Sequence, residues 1–230
     1  MKRFLQLSLA AMMVLAVSCN KDKPAASKVP EGAVDLGIEM TREDGTTYKI
    51  YWAESNLNFK NGLCTKPEDY GDYYAWGETV PKERFDLSNY KWCDYQEKMT
   101  KYFLGDEKSV LDEGDDAAHV KLGGRWRMPT RAEWDKLVEV CSWKWSDENG
   151  VNGYKVMGPN GNEIFLPAAG VMDKTELDFE ATRGYYWSSN NSVDAFSNSA
   201  YDLYFANTKH YSISTVGRQY GCSVRPVWEK

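Results

Sequence analysis

The spacing of apolar residues changes character along the chain. From Ala33 to Met40 and from Thr47 to Ala53 the residues fall in short strand-like runs. Thr41-Arg42-Glu43-Asp44-Gly45 between them is turn sequence. Asp72 to Trp76 is a short aromatic extended stretch, and Glu78 to Lys98 has no period and holds Pro81. That second stretch is rich in Tyr and Trp, so it predicts a long but packed loop. Two helices follow. Asp112 to Leu122 opens on Asp112, Glu113, Asp115 and Asp116 and stops at Gly123-Gly124, which suits the helix dipole and a left-handed cap. The second helix starts at Thr130-Arg131-Ala132-Glu133, a capping box, and Trp134, Leu137, Val138 and Cys141 fall on one face. The pattern then returns to alternation. Tyr154 and Val156, the Gly158-Pro159-Asn160-Gly161 turn, and Ile164 and Leu166 predict a hairpin. Gly184 to Ser188, Tyr201 to Phe205, Tyr211 to Val216 and Ser223 to Trp228 predict further strands. Strands, two helices, then strands is an α+β order with a twisted, mainly antiparallel sheet.

The N-terminal segment has a different character. Met1-Lys2-Arg3 is a positive start, and Phe4 to Val17 is apolar but shorter than the roughly 20 residues of a membrane span. It leads into Ala16-Val17-Ser18-Cys19, which resembles a bacterial lipobox. The expectation is a signal peptide over residues 1–18, lipidation of Cys19, a polar tether over residues 19–32 and one folded domain over residues 33–230. An acylated Cys19 implies export and an outer-membrane anchor, with surface display a further possibility. Formal net charge is −6, and no basic stretch follows the first residues, so a nucleic-acid partner is not expected.

Six ordered segments carry a family resemblance: Gly71-Asp72-Tyr73-Tyr74-Ala75-Trp76-Gly77-Glu78, Gly124-Arg125-Trp126-Arg127-Met128-Pro129-Thr130, Gly158-Pro159-Asn160-Gly161-Asn162, Phe165-Leu166-Pro167-Ala168-Ala169-Gly170, Tyr186-Trp187-Ser188-Ser189 and Ser223-Val224-Arg225-Pro226-Val227. Together they resemble the Fibrobacter succinogenes major paralogous domain found in lipoproteins of gut Bacteroidota. More distantly, the Trp126 to Trp134 run is similar to the C-type-lectin-like and formylglycine-generating-enzyme superfamily. That resemblance implies two helices packed on a twisted, irregular, mainly antiparallel sheet with long loops, and termini brought together. Such a fold hosts both oxidases and sugar binders, so it does not choose a function.

The candidate chemistry points to binding. Cys64, Cys93, Cys141 and Cys222 admit three disulfide pairings, and buried free thiols are the other reading. The close C-terminal cysteine pair of a formylglycine-generating oxidase is missing, since only Cys222 lies there. His119 reads as a mid-helix residue beside Asp115 and Asp116, and His210 as a surface residue. The acids at 112–116 read as helix-start residues rather than calcium ligands. Glu133 is accounted for by the capping box, and Glu78 has no visible facing partner. No catalytic set, cofactor or metal site is expected. Trp52, Trp76, Trp126, Trp134, Trp187 and Trp228 read as core. Trp92, Trp143 and Trp145 lie in or beside loops and are the candidate ligand-binding aromatics, with Asn190 and Asn191 supplying polar contacts. The expectation is a non-enzymatic envelope lipoprotein that binds a glycan or a protein partner. The alternatives are a structural or fimbrial accessory component and an enzyme of the formylglycine-generating type.

Overall fold

The computed structural model describes residues 28–192 and 198–230. The expected signal peptide and Cys19 lie outside these residues.

Strand β1 (Ala33–Thr41) pairs antiparallel with β2 (Thr47–Ala53), as the pattern predicts. Two short strands follow, β3 (Leu57–Asn58) and β4 (Gly62–Leu63). A long segment then leads to helix α1 (Ala117–Leu122), strand β5 (Trp126–Arg127) and helix α2 (Arg131–Val140). Next come β6 (Ser142–Glu148), β7 (Val151–Met157) and β8 (Glu163–Pro167). The chain continues through β9 (Val171–Asp173), β10 (Glu176–Asp178), β11 (Arg183–Asn191), β12 (Ser199–Ala206), β13 (His210–Gly217) and β14 (Val227–Glu229). The strand order is β1-β2-β14-β5 in one sheet, β6-β7-β8 in a second and β11-β12-β13 in a third. All named strand pairs among the described residues are antiparallel. In the first sheet β14 lies between β2 and β5, which brings the two ends of the described chain together.

The first core joins α2 to all three sheets. Trp52, Trp134, Leu137, Tyr154, Leu166, Tyr186 and Phe205 are buried there. Trp52 and Trp134 meet at 4.5 Å between ring centres. The second core holds Trp76, Tyr102, Ala117, Ala118, Met128, Trp187 and Cys222. All six tryptophans read as core from sequence are buried.

The segments that carry the family resemblance hold these cores in register. Tyr74 exchanges backbone hydrogen bonds with Cys222, and the Trp187 indole donates to the Tyr74 carbonyl at 2.6 Å. Gly71 and Gly77 flank that stretch with φ of +73° and +74°. A Cβ on Gly71 would stand 2.5 Å from the Leu57 carbonyl oxygen, and one on Gly77 would stand 2.9 Å from the Trp92 ring nitrogen. Only glycine meets both demands. Arg225 is fully buried and makes no ion pair among the described residues. Its guanidinium donates to Asn56 Oδ1 at 2.9 Å, to the Ala53 and Glu54 carbonyls at 3.0 Å each, and to the Phe165 carbonyl at 2.8 Å.

The first helix departs from the sequence expectation. Asp112, Glu113 and Asp115 do not open an α-helix; Glu113–Asp115 form a 3₁₀ turn. Asp115 is drawn instead to Lys91 Nζ at 3.0 Å, Lys101 Nζ at 2.5 Å and the Tyr102 hydroxyl at 2.8 Å. Asp116 is the true N-cap, and its carboxylate accepts from the His119 N–H at 2.9 Å. The predicted aromatic strand at residues 72–76 contributes a single bridge, Tyr74 to Cys222, and Ser223 likewise bridges only Tyr186 ahead of β14. Cys64, Cys93, Cys141 and Cys222 are free thiols. Burial pushes Cys64 and Cys141 up to about 11, Cys222 well above the ordinary thiol value and Cys93 upward as well, so none of the four has the lowered value of an activated thiol.

Candidate functional site

A cleft of about 770 Å³ opens where α1, β5 and the N-terminus of α2 meet the ends of β1 and β14. Its lining comes from five distant pieces of sequence: Arg42, residues 110–119, residues 124–130, Ser189 and the stretch at Glu229. The capping box sets one wall. The Thr130 hydroxyl accepts from the Glu133 N–H at 3.2 Å, and Glu133 Oε2 accepts from the Thr130 N–H at 2.7 Å.

Glu133 does more than cap. Its side chain is fully buried and also accepts two bonds from the Arg127 guanidinium, at 2.8 and 2.6 Å, and one from the Tyr48 hydroxyl at 2.9 Å. Burial alone pushes this carboxyl up. The Arg127 charge and the other donors outweigh it and hold Glu133 below the ordinary carboxylate value. Arg127 then reaches Glu229 at 3.2 Å, and Glu229 also pairs with Arg42. Floor and rim of the cleft thus form one charge chain. Glu133→Gln is expected to cost about 3–5 kcal/mol, the scale for breaking one member of a buried pair. Urea unfolding at neutral pH reads this directly. The contribution is present above the ordinary Glu range and is lost as pH falls through the lowered folded value.

The α1 side carries Asp116, His119 and Glu113. Asp116 is buried and accepts from the backbone N–H groups of His119 at 2.9 Å and Met128 at 2.8 Å; burial raises its carboxyl from the ordinary value. The His119 ring points Nδ1 at the Trp126 carbonyl oxygen, 3.1 Å away, and Nε2 towards Glu113 Oε2, 3.9 Å away. Arg125 lines the cleft and is exposed, and no described residue pairs with it. The surface therefore mixes donors and acceptors. Among the described residues no group of three or more His, Cys, Asp or Glu side chains is placed to hold a metal ion.

The aromatic and polar candidates read from sequence do not form this cleft. Trp143 and Trp145 are not in loops: they lie on β6 and share the side that packs on the first core. Trp143 stacks on Tyr211 at 4.8 Å and donates its ring N–H to the Leu137 carbonyl at 3.4 Å. Trp145 meets Tyr154 edge-on at 5.2 Å. Both indoles are half-buried, and the neighbouring Ser142 and Lys144 take the solvent side. A period of two put both rings inward together. Trp92 is no open platform either. Its ring N–H donates to the Gly77 carbonyl at 3.0 Å, and the ammonium groups of Lys91 and Lys101 lie 4.2 and 4.9 Å from its ring.

Asn190 and Asn191 lie on β11 and are occupied structurally. Asn190 Oδ1 accepts from the Arg131 N–H at 2.8 Å, at the start of α2. The Asn191 amide donates to the Tyr102 and Lys108 carbonyls at 2.9 and 3.0 Å and fastens the long loop. His210 is exposed, as expected. Glu78 accepts from the Lys91 N–H at 2.8 Å and from Lys82 Nζ at 2.9 Å, which makes it a loop staple. The residues that sequence reasoning missed are Arg125, Arg127, Glu113 and Arg42. The Gly124 to Thr130 segment contained the signal, because Arg125 and Arg127 alternate with the buried Trp126 and Met128, so both arginines fall on the outward side.

Comparison with known protein families, curated proteins and solved structures finds no match to this chain. Among the described residues no helix is long and apolar enough to cross a membrane.

Proposed function

We propose that this protein is an exported envelope lipoprotein, anchored in the outer membrane through Cys19, whose domain binds a glycan in the cleft between α1 and β5. The observation that supports the site is the lining itself. His119, Glu113, Arg125, Arg127 and Thr130 face one space with donors and acceptors interleaved, on a base fixed by the Glu133 and Asp116 bonds. A sugar offers hydroxyl donors and acceptors together with apolar C–H faces, and a pre-formed cleft lined by both kinds of surface pays little ordering entropy on binding. The two-helix, antiparallel arrangement with β14 beside β2 supports a C-type-lectin-like fold. The six segments quoted above support kinship with the Fibrobacter succinogenes major paralogous domain.

The test is a glycan screen on the detergent-solubilised full chain, with and without calcium chelator. Chelator-resistant binding that falls about tenfold or more in Arg125→Ala is expected, the scale of one lost charged hydrogen bond. No glycan binding under any condition would overturn the glycan reading and move the assignment to a protein partner in the envelope. The anchor is tested separately. Cys19→Ala is expected to shift the protein from the membrane to the soluble fraction of cells, and continued membrane retention of that variant would contradict lipidation.

A further inference from the structure

The α1 wall of the cleft presents two acceptors side by side. His119 Nδ1 is 3.1 Å from the Trp126 carbonyl oxygen. A carbonyl has no proton to give, so Nδ1 carries the hydrogen, which leaves Nε2 as the acceptor whenever the ring is neutral. Nε2 stands 3.9 Å from Glu113 Oε2. Among the described residues no N–H or O–H group donates to either atom. The Glu113 side chain is 88% exposed and that of His119 28%, so both are open to a ligand. The backing is rigid: Asp116 caps α1 through the His119 N–H, and the Trp126 carbonyl orients the ring.

Two lone-pair acceptors at this spacing call for two donors on adjacent atoms. We infer that Glu113 and His119 form a subsite for a vicinal diol of a sugar ring, each accepting one hydroxyl hydrogen with no metal ion between. Arg125, which lines the same cleft, supplies a further donor. This inference rests on the glycan reading above and names the part of the ligand that is recognised.

The probes are methyl glycosides of mannose, galactose and fucose, each paired with monodeoxy counterparts lacking one hydroxyl of the diol. They are titrated into the detergent-solubilised full chain and followed by the imidazole carbon-bound proton signals. The chain has only 2 histidines, so the His119→Asn variant assigns both signals. Asparagine retains a donor near the Nδ1 position and lacks the Nε2 acceptor. Binding of at least one glycoside is expected to move the His119 signal and leave His210 unmoved. The deoxy counterpart, His119→Asn and Glu113→Ala are each expected to weaken binding about tenfold or more. The unfolding midpoint of Glu113→Ala is expected to stay unchanged, which separates a lost contact from a lost fold. Glycoside binding that leaves the His119 signal unmoved and persists in both variants would overturn the diol subsite and leave the glycan reading standing. Absence of binding to every glycoside and every screened glycan would overturn both.

Discussion

Replacing Arg225 with methionine is expected to lower the unfolding midpoint by roughly 10 °C or more. Four acceptors lose their donor at once: Asn56 Oδ1 and the carbonyls of Ala53, Glu54 and Phe165. Each buried acceptor left unpaired costs about 1–3 kcal/mol. A protein of this size loses about 2–4 °C per kcal/mol. Burial draws the guanidinium down to about 10 despite the opposing pull of Tyr186 and Glu54, and its hydrogen bonds to Asn56 and the three carbonyls hold it in place. Lysine offers one compact ammonium where the guanidinium spans four acceptors, and Arg225→Lys is expected to fall nearly as far. Circular-dichroism melting of both variants checks this. A midpoint within about 2 °C of the parent, less than the shift for one lost bond, would show that the four bonds carry little net stability.

The second large effect has the opposite sign. Asp202 on β12 is buried to 1% exposure, and among the described residues no group of another residue donates to either carboxyl oxygen. Burial pushes it up to about 7 from 3.8. The unfolded chain releases this proton first, so between about pH 4 and pH 7 the native state binds more protons and stability falls as pH rises. Above the folded value the full penalty stands, on the order of 4 kcal/mol. Asp202→Asn removes the titration and is expected to stabilise the protein above pH 7, with the advantage shrinking towards pH 4. Urea unfolding across that range, parent against variant, reads it. A constant difference at every pH would exclude Asp202 as the titrating group. Glu133 works the other way, since its pair with Arg127 weakens in acid. Together the two groups place maximum stability between their folded values.

Local sequence chemistry was legible where neighbours decide the outcome. The Thr130 to Glu133 capping box, the limits of β2 and the Asn160-Gly161 turn all follow from residues within a few positions of each other. Helix α1 was harder to read, because Lys91 and Lys101 compete for Asp115 from the long loop. The alternation Ser142-Trp143-Lys144-Trp145 held the inward orientation of both indoles, but only once the piece is known to be a strand. The Arg225 and Asp202 environments break the rule that charges face water, and no local pattern announces that. The cleft was invisible for a further reason. Arg42 and Glu229 reach the cleft because β14 inserts between β2 and β5, and Ser189 reaches it from another sheet through backbone bonds with Pro129 and Leu111.

The central claim is that ligand enters the cleft between α1 and β5 rather than the aromatic face of β6. Hydrogen–deuterium exchange on the full chain, with and without a glycan found in the screen, tests it most directly. The account predicts slower exchange in residues 113–130 and no change in residues 142–148. Protection confined to residues 142–148, with residues 113–130 unaltered, would contradict it and return the site to Trp143 and Trp145.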